Sequence, residues 1–137
     1  LQQNGWPTIN SCLGKVVFIL EGENCDIYRN DIEKGIDRPM FVFGSPNDNS
    51  TAFLLRNHSM GHEKEMAQLS ELYIIRTRAD AGTLEARDNN YNRFESCLKS
   101  KAQIISTDYY KPDPRFGDFC IKFLSNNSQS PYILKNE

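Results

Sequence analysis

A short apolar run that ends in a cluster of charges constrains the fold of this chain most strongly. Residues 72–75 read Leu-Tyr-Ile-Ile, and residues 76–80 follow directly as Arg-Thr-Arg-Ala-Asp. A bounded apolar run of this length is typical of a buried strand. Arginine at the strand's end presents a rigid fork of donors that suits phosphate or carboxylate. The sequence therefore predicts a buried strand whose carboxyl end carries charged groups.

A second segment repeats this design. Residues 103–110 read Gln-Ile-Ile-Ser-Thr-Asp-Tyr-Tyr, which is again an apolar stretch that ends in polar groups. Two apolar strands that both end in polar groups indicate a site built on strand ends, as in α/β barrels.

Predicted strands and helices alternate along the chain. We expect strands at residues 14–21, 38–43, 72–78 and 103–108, helices near residues 28–34, 63–72 and 91–98 (the last capped by residues 88–90), and an extended segment at 116–123. Residues 50–57 fit a helix or a strand. This alternation indicates an α/β fold with a parallel sheet. Four such units are half of an eight-stranded (β/α)8 barrel, and four strands leave two unpaired edges, so the single predicted domain, residues 1–137, looks like an incomplete half-barrel; the resemblance described below implies that it needs a second half or self-association to close.

Composition and charge narrow the classes of partner. The 137 residues carry a formal net charge of -2 without a Lys/Arg block or basic stripe, so we expect no nucleic-acid partner. No apolar run approaches the roughly 18 residues that a membrane-spanning helix needs. The chain starts with neither a signal peptide nor Met, so we expect a mature or truncated product.

The four cysteines of the chain leave two alternatives open. These cysteines are Cys12, Cys25, Cys97 and Cys120. Without Cys-x-x-Cys spacing, a zinc site is not expected. The cysteines form either up to two disulfides, as in a secreted protein, or four buried free thiols. Three Asn-x-Ser/Thr sequons, at Asn49, Asn57 and Asn126, favour a secreted or extracytoplasmic location.

Several motifs together resemble one enzyme family. They are Trp-Pro-Thr at 6–8, Gly-Lys-Val-Val-Phe at 14–18, Arg-Pro-Met-Phe at 38–41, Arg-Thr-Arg-Ala-Asp at 76–80, Ala-Gln-Ile-Ile-Ser-Thr-Asp-Tyr at 102–109, and residues 119–123. In this order, the motifs make nearly all of the chain similar to the C-terminal half of calcium-dependent phosphoinositide-specific phospholipase C proteins. These proteins are a branch of the PI-PLC-like phosphodiesterase barrels.

The resemblance implies a fold, a reaction and a cofactor. This chain would supply strands five to eight of a (β/α)8 barrel, with the N-terminal half-barrel or a second copy of the chain as partner. The reaction would be cleavage of a phosphodiester in a phosphoinositide-type lipid, in which the inositol 2-hydroxyl attacks phosphorus. Ca2+ would be the metal, and a phospholipid substrate implies peripheral contact with a membrane.

The resemblance also implies what this chain lacks. In the family, early strands carry the paired catalytic histidines and most metal ligands, and their motifs have no counterpart here. We therefore expect no catalytic residue in this chain, and expect it to contribute contacts to the phosphate and inositol of the substrate.

Three charged residues are the leading candidates for those contacts. Strand alternation puts Arg76, Arg78 and Asp80 on one side and Thr77 on the other, if the strand stays regular that far. The two cations would grip phosphate, and the carboxylate would orient an inositol hydroxyl. The alternative is a structural Arg–Asp ion pair at the mouth of the barrel.

The second strand end supplies two further candidates. Asp108 lies at the end of its strand on the same side as Ser106, where it would accept from a sugar hydroxyl or would cap the following turn. Tyr109 and Tyr110 would stack on an inositol ring or touch lipid headgroups, or would pack with a solvated hydroxyl.

Metal-binding candidates are few. Glu21 ends the first strand and would face the barrel centre as a metal or hydroxyl contact, or would be a solvated loop residue. His58 and His62 have the spacing of a helical metal pair, but Gly61 lies between them and no third ligand of matching type is evident, so we expect surface histidines.

Two other functions remain open. The chain could be a non-catalytic half-barrel that dimerises and binds a phosphorylated ligand or none. It could also belong to a diesterase for glycerophosphodiester or sphingolipid substrates.

Overall fold

The computed structural model of the chain describes residues 5–122. Within them lie five short strands and five helices: α1 (Ile9–Cys12), β1 (Ile19–Leu20), α2 (Cys25–Glu33), β2 (Phe41–Val42), β3 (Phe53–Leu55), α3 (Glu63–Leu69), β4 (Ile74–Arg78), α4 (Leu84–Arg87), α5 (Asn92–Lys99) and β5 (Ile104–Ser106). The predicted α/β class is confirmed. No helix in this part of the chain is long and apolar enough to cross a membrane.

All five strands run parallel, and their order in space follows their order in sequence. One sheet pairs β1 with β2, and the other has the order β3-β4-β5. A single parallel bridge between Phe43 and Phe53 connects the two sheets. The result is a row of parallel strands that is consistent with part of a barrel, with β1 and β5 at its two ends.

Helices cover one face of the three-stranded sheet. Leu54, Met66 and Ile75 form a core cluster in which each side chain is at most 1% exposed. Farther along β4, Thr77 is fully buried and its hydroxyl lies 3.9 Å from the thiol of Cys97 in α5. Because side chains alternate along a strand, residues 75 and 77 face the helices and residues 74, 76 and 78 face the other way.

The opposite face is aromatic at the amino end of the strands and partly open beyond it. The Trp6 ring packs edge-on against the Phe53 ring at 5.5 Å, and the Phe41 ring packs against the Phe53 ring at 5.3 Å. The Trp6 indole N–H donates to the carbonyl of Leu72 at 3.1 Å. Beyond these rings Ile104 is 39% exposed, so the arginines of β4 lie on a face that is not fully covered.

A second core cluster supports the loops that follow β4 and β5. Its buried members are Ala79, Ala86, Tyr109, Phe119 and Ile121. The rings of Tyr91 and Phe119 lie 4.7 Å apart, which ties the start of α5 to the chain near its described end. Burial of several large rings stabilises these loops, because aromatic side chains contribute the largest areas to a core.

The prediction of four strands with a long first strand is wrong. The ambiguous residues 50–57 contain β3, which raises the number of described strands to five. Of residues 14–21, only Ile19 and Leu20 form β1, whereas Val16, Val17 and Phe18 are 75%, 54% and 62% exposed. The reason is that β1 pairs on one side only within the described chain, so these apolar side chains lack the second layer that a buried strand requires.

Residues near the carboxyl end also differ from expectation. Among residues 116–122 no strand forms, although the Ile121 N–H donates to the Tyr109 carbonyl at 2.8 Å. Phe123 and Asn126 lie outside the described residues. The N-cap position of α5 is Tyr91 rather than one of the predicted residues 88–90, and it makes no side-chain capping bond. The side-chain oxygen of Asn90 does accept from the N–H of Asn92 at 2.9 Å.

The cysteines follow the free-thiol alternative. None of the four forms a disulfide: Cys25, Cys97 and Cys120 are buried, and Cys12 is partly exposed. Burial raises the pKa of Cys97 above that of an ordinary thiol, so this thiol stays protonated and unreactive.

Candidate functional site

The carboxyl ends of three parallel strands bring distant polar residues to one edge of the sheet. Asn57 follows β3, Arg76 and Arg78 lie at the end of β4, and Asp108 follows β5. Register pairing places Arg76 beside Ile104 and Arg78 beside Ser106. The predicted grouping of β4 and β5 residues at one strand edge therefore corresponds to the geometry of the sheet.

Arg76 and Arg78 are the main charged groups of this edge. Both are half-buried and lie on the face opposite to Thr77. Arg76 Nη1 donates to Asn57 Oδ1 at 2.8 Å, whereas Arg78 Nε is buried and has no hydrogen-bond partner among residues 5–122. Neither guanidinium forms an ion pair within residues 5–122. Two cations without a counterion, one with an unsatisfied buried donor, make a site that suits an anion.

Asp80 does not join the two arginines. β4 ends at Arg78, so the alternation of side chains no longer governs Asp80. Its carboxylate is 4% exposed and accepts from the Thr107 hydroxyl at 2.5 Å and from the Asp108 N–H at 3.2 Å. The alternative Arg–Asp ion pair is likewise not formed. Asp80 connects the loop after β4 to the loop after β5, and this holds the edge of the site together.

Asp108 is the carboxylate that this edge exposes. Its backbone is fixed by Asp80, and its side chain is exposed to solvent. It borders an open cleft of about 320 Å³ that is lined by residues 108–115. Tyr110, 72% exposed, lines the same cleft. An exposed carboxylate just after the strand that pairs with β4 can accept a hydrogen bond from a hydroxyl group.

Tyr109 packs inside the protein, so its predicted role as a ring that stacks on substrate is not supported by its position. It is 6% exposed, and its ring lies edge-on to Phe119 at 5.4 Å. Its hydroxyl donates to the carbonyl of Gly82 at 3.2 Å. Burial raises the pKa of Tyr109, and the negative charges of Asp80 and Asp113 raise it further. Tyr109 therefore acts as a neutral core residue beneath the loops.

The described residues do not form a calcium site by themselves. Glu21 follows β1 directly and is exposed, but residues 5–122 contain no group of three or more His, Cys, Asp or Glu that could hold a metal ion. Asp80 is already engaged by two hydrogen-bond donors. His58 and His62 are exposed, and His62 Nδ1 lies 3.4 Å from Glu65.

Three residues that support this edge were not predicted from the sequence as site residues. Asn57 accepts from Arg76, Arg93 donates to the main-chain carbonyl of Asn57, and Glu85 pairs with Arg93. Asn57 was not predicted because residues 50–57 fit a helix or a strand, so the sequence did not show that Asn57 follows a strand. Glu85 and Arg93 lie on different helices, eight positions apart, and no periodic pattern pairs them. Only the tertiary structure identifies these residues.

Comparison with known families identifies the family of the chain. A model of the family described as "Phosphoinositide phospholipase C, Ca2+-dependent" matches residues 1–131. No curated protein and no solved structure matches the chain. The family match covers almost the whole sequence, including all five strands and the arginine pair of β4. The chain therefore belongs to the Ca2+-dependent phosphoinositide phospholipase C family.

Proposed function

We propose that this chain is the C-terminal part of a phospholipase C-type barrel and that it contributes contacts to the phosphate and inositol of a phosphoinositide lipid. Sequential parallel strands with helices on one face are the arrangement from which (β/α)8 barrels are built. The face that carries Arg76 and Arg78 is partly open, and in a closed barrel it would line the interior. Since five strands are described here, the remaining strands would come from another part of the protein.

The observation that carries this proposal is the uncompensated arginine pair at the carboxyl edge of β4. A phosphodiester carries one negative charge, and attack on phosphorus adds negative charge in the transition state. Guanidinium groups stabilise such charge through paired hydrogen bonds that are already oriented before the substrate arrives. Arg78, with a buried Nε that lacks a partner, is the better placed of the two to gain a hydrogen bond from the ligand.

Other groups complete the proposal. Asp108 would accept from an inositol hydroxyl, and the general acid and base would be histidines outside this chain. Glu21 would offer one carboxylate to Ca2+ or to a hydroxyl, and the other calcium ligands would also lie outside this chain. Peripheral contact with a membrane follows from a lipid substrate. A secreted or extracytoplasmic location belongs to the same proposal, with the exposed sequon at Asn49 as its support.

Substitution of the arginines in the full-length protein tests this function. Arg78→Ala and Arg76→Ala should each raise KM for phosphatidylinositol vesicles by at least about tenfold, because a hydrogen bond to a charged group contributes about 1.5–3 kcal/mol. Hydrolysis of phosphatidylinositol, measured over a range of lipid concentrations, gives KM and kcat. Parallel assays with glycerophosphodiester and sphingomyelin substrates identify the headgroup.

Arg38→Ala is the matched control for these variants. Arg38 precedes β2 at the opposite edge of the sheet and pairs with Asp31, so its loss should leave KM unchanged. Melting temperatures of all variants separate binding from folding. Values of both KM and kcat that stay at the wild-type level in Arg76→Ala and Arg78→Ala would rule out the phosphate-binding role.

A non-catalytic, self-associating half-barrel is the second candidate. The observation in its favour is the exposed apolar stretch before β1, where Val16, Val17 and Phe18 are each more than half exposed. A second copy of the chain could cover this stretch. The oligomeric state of the isolated chain, measured by light scattering, distinguishes this candidate from the first.

A further inference from the structure

We propose that Glu85 and Arg93 are positioning residues that act on the substrate phosphate through Asn57 and Arg76. This inference rests on the proposed function, because it assigns to Arg76 a contact with the phosphate. Among residues 5–122, the hydrogen bonds and ion pairs of Glu85 and Arg93 do not include Arg76 or Arg78 themselves. Their effect would pass through a continuous series of hydrogen bonds.

The first link is a partly buried ion pair between two helices. Arg93 Nε donates to Glu85 Oε1 at 2.6 Å, and the two side chains are only 13% and 11% exposed. Removal of one partner from a pair with so little exposure leaves the other charge without compensation, which is destabilising. The pair connects α4 to the first turn of α5.

The second oxygen of Glu85 anchors the loop after β4. Glu85 Oε2 accepts from the Ala81 N–H at 2.8 Å. Partial burial alone would raise the pKa of Glu85, but the hydrogen bonds from Ala81 and Arg93 outweigh it and lower the pKa below the usual value. Glu85 is therefore ionised at neutral pH, and its negative charge balances the positive charge of Arg93.

Two further hydrogen bonds lead from Arg93 to Arg76. Arg93 Nη1 donates to the Asn57 carbonyl oxygen at 3.2 Å, which fixes the backbone of the loop after β3. The side chain of Asn57 then accepts from Arg76 Nη1 at 2.8 Å. Arg93 pairs with the Glu85 carboxylate through Nε and donates to the Asn57 main chain through Nη1. The Asn57 side chain is thereby held where its oxygen accepts from Arg76.

Orientation of Arg76 matters because arginine is a long side chain with many rotamers. Immobilising such a side chain costs about 0.5–1.5 kcal/mol on binding, and a partner that holds it beforehand removes part of that cost. Loss of Arg93 should free the Asn57 loop, and Arg76 would then bind phosphate less tightly. The geometry thus predicts an effect on KM that depends on the presence of Arg76.

A double-mutant cycle in the full-length protein tests this dependence. Arg93→Met and Asn57→Ala should each raise KM for phosphatidylinositol vesicles by about three- to tenfold, within the range of coupling between contacting residues, with kcat little changed. In an Arg76→Ala background neither substitution should raise KM further. Arg38→Met, which breaks an ion pair at the other edge of the sheet, serves as the control.

The outcomes separate this inference from the proposed function. If Arg76→Ala leaves KM unchanged, the phosphate-binding role of Arg76 fails, and the inference fails with it. If Arg76→Ala raises KM but Arg93→Met raises KM by the same factor with or without Arg76, the positioning role is overturned while the proposed function stands. If Arg93→Met lowers only the melting temperature, Arg93 is structural and the inference is likewise overturned.

Discussion

Arg78 and Asp80 are two positions apart at the end of β4, and their surroundings give them different roles. Arg78 still belongs to the strand, so its side chain follows the alternation that the sequence predicts. Asp80 has left the strand and is held by the Thr107 hydroxyl and the Asp108 N–H. A carboxylate with these donors stabilises the loops, whereas a guanidinium without a counterion is free to bind an anion.

The adjacent tyrosines provide a stability prediction at this scale. Tyr109→Ala should lower the free energy of unfolding by about 3–5 kcal/mol, because it removes a buried ring and leaves a cavity. Tyr110→Ala should change it by less than about 0.5 kcal/mol, because the side chain is 72% exposed. Urea unfolding followed by circular dichroism measures both. Equal effects of the two substitutions would contradict the burial of Tyr109.

At the scale of elements, apolar runs predicted the position of strands better than their length. The predicted strands at residues 72–78 and 103–108 contain β4 (Ile74–Arg78) and β5 (Ile104–Ser106). β3 could not be distinguished from a helix, because a short apolar run fits both periods and only its pairing with β4 decides. Of the first predicted strand only two residues form β1, because the length of a strand is set by pairing with its neighbour and only Ile19 and Leu20 pair with β2.

The positions of the elements also predict which thiols react. In the native protein Cys12 should be alkylated first, because it is partly exposed, while Cys25, Cys97 and Cys120 react only after unfolding. Cys97 should be particularly slow, because burial raises its pKa and thereby removes the thiolate. Mass spectrometry of iodoacetamide-treated protein locates the modified residues. Disulfide-linked peptides among these four cysteines would contradict the free-thiol structure.

At the scale of the whole molecule, the described chain is a row of five parallel strands with two open ends. The β1 end is preceded by exposed Val16, Val17 and Phe18, and the β5 end carries Ile104 at 39% exposure. Contiguous exposed apolar residues of this kind mark interaction surfaces or sites of aggregation. The match to a phospholipase family, together with these open ends, supports the proposal that further strands complete the fold.

Association in solution tests that proposal. The 137-residue chain produced alone should associate, and Val17→Lys should lower the associated fraction, because a charge disfavours burial of the stretch before β1. Light scattering measures the mass, and Gln68→Lys, which adds a charge at an exposed helical position, is the control. A defined two-fold dimer favours the self-associating module, whereas association without a defined stoichiometry favours a barrel that another part of the protein completes. A monomeric wild-type chain would contradict both.

The sequence by itself determined the α/β class, the parallel arrangement and the common side of Arg76 and Arg78. These properties follow from periodicity and from the direction of side chains along a strand, which are local. The tertiary structure decided that Asp80 binds the loop after β5, that Tyr109 enters the core, and that Asn57 orients Arg76. Such contacts join residues about 20 to 30 positions apart, and only the packing of strands and helices brings those residues together.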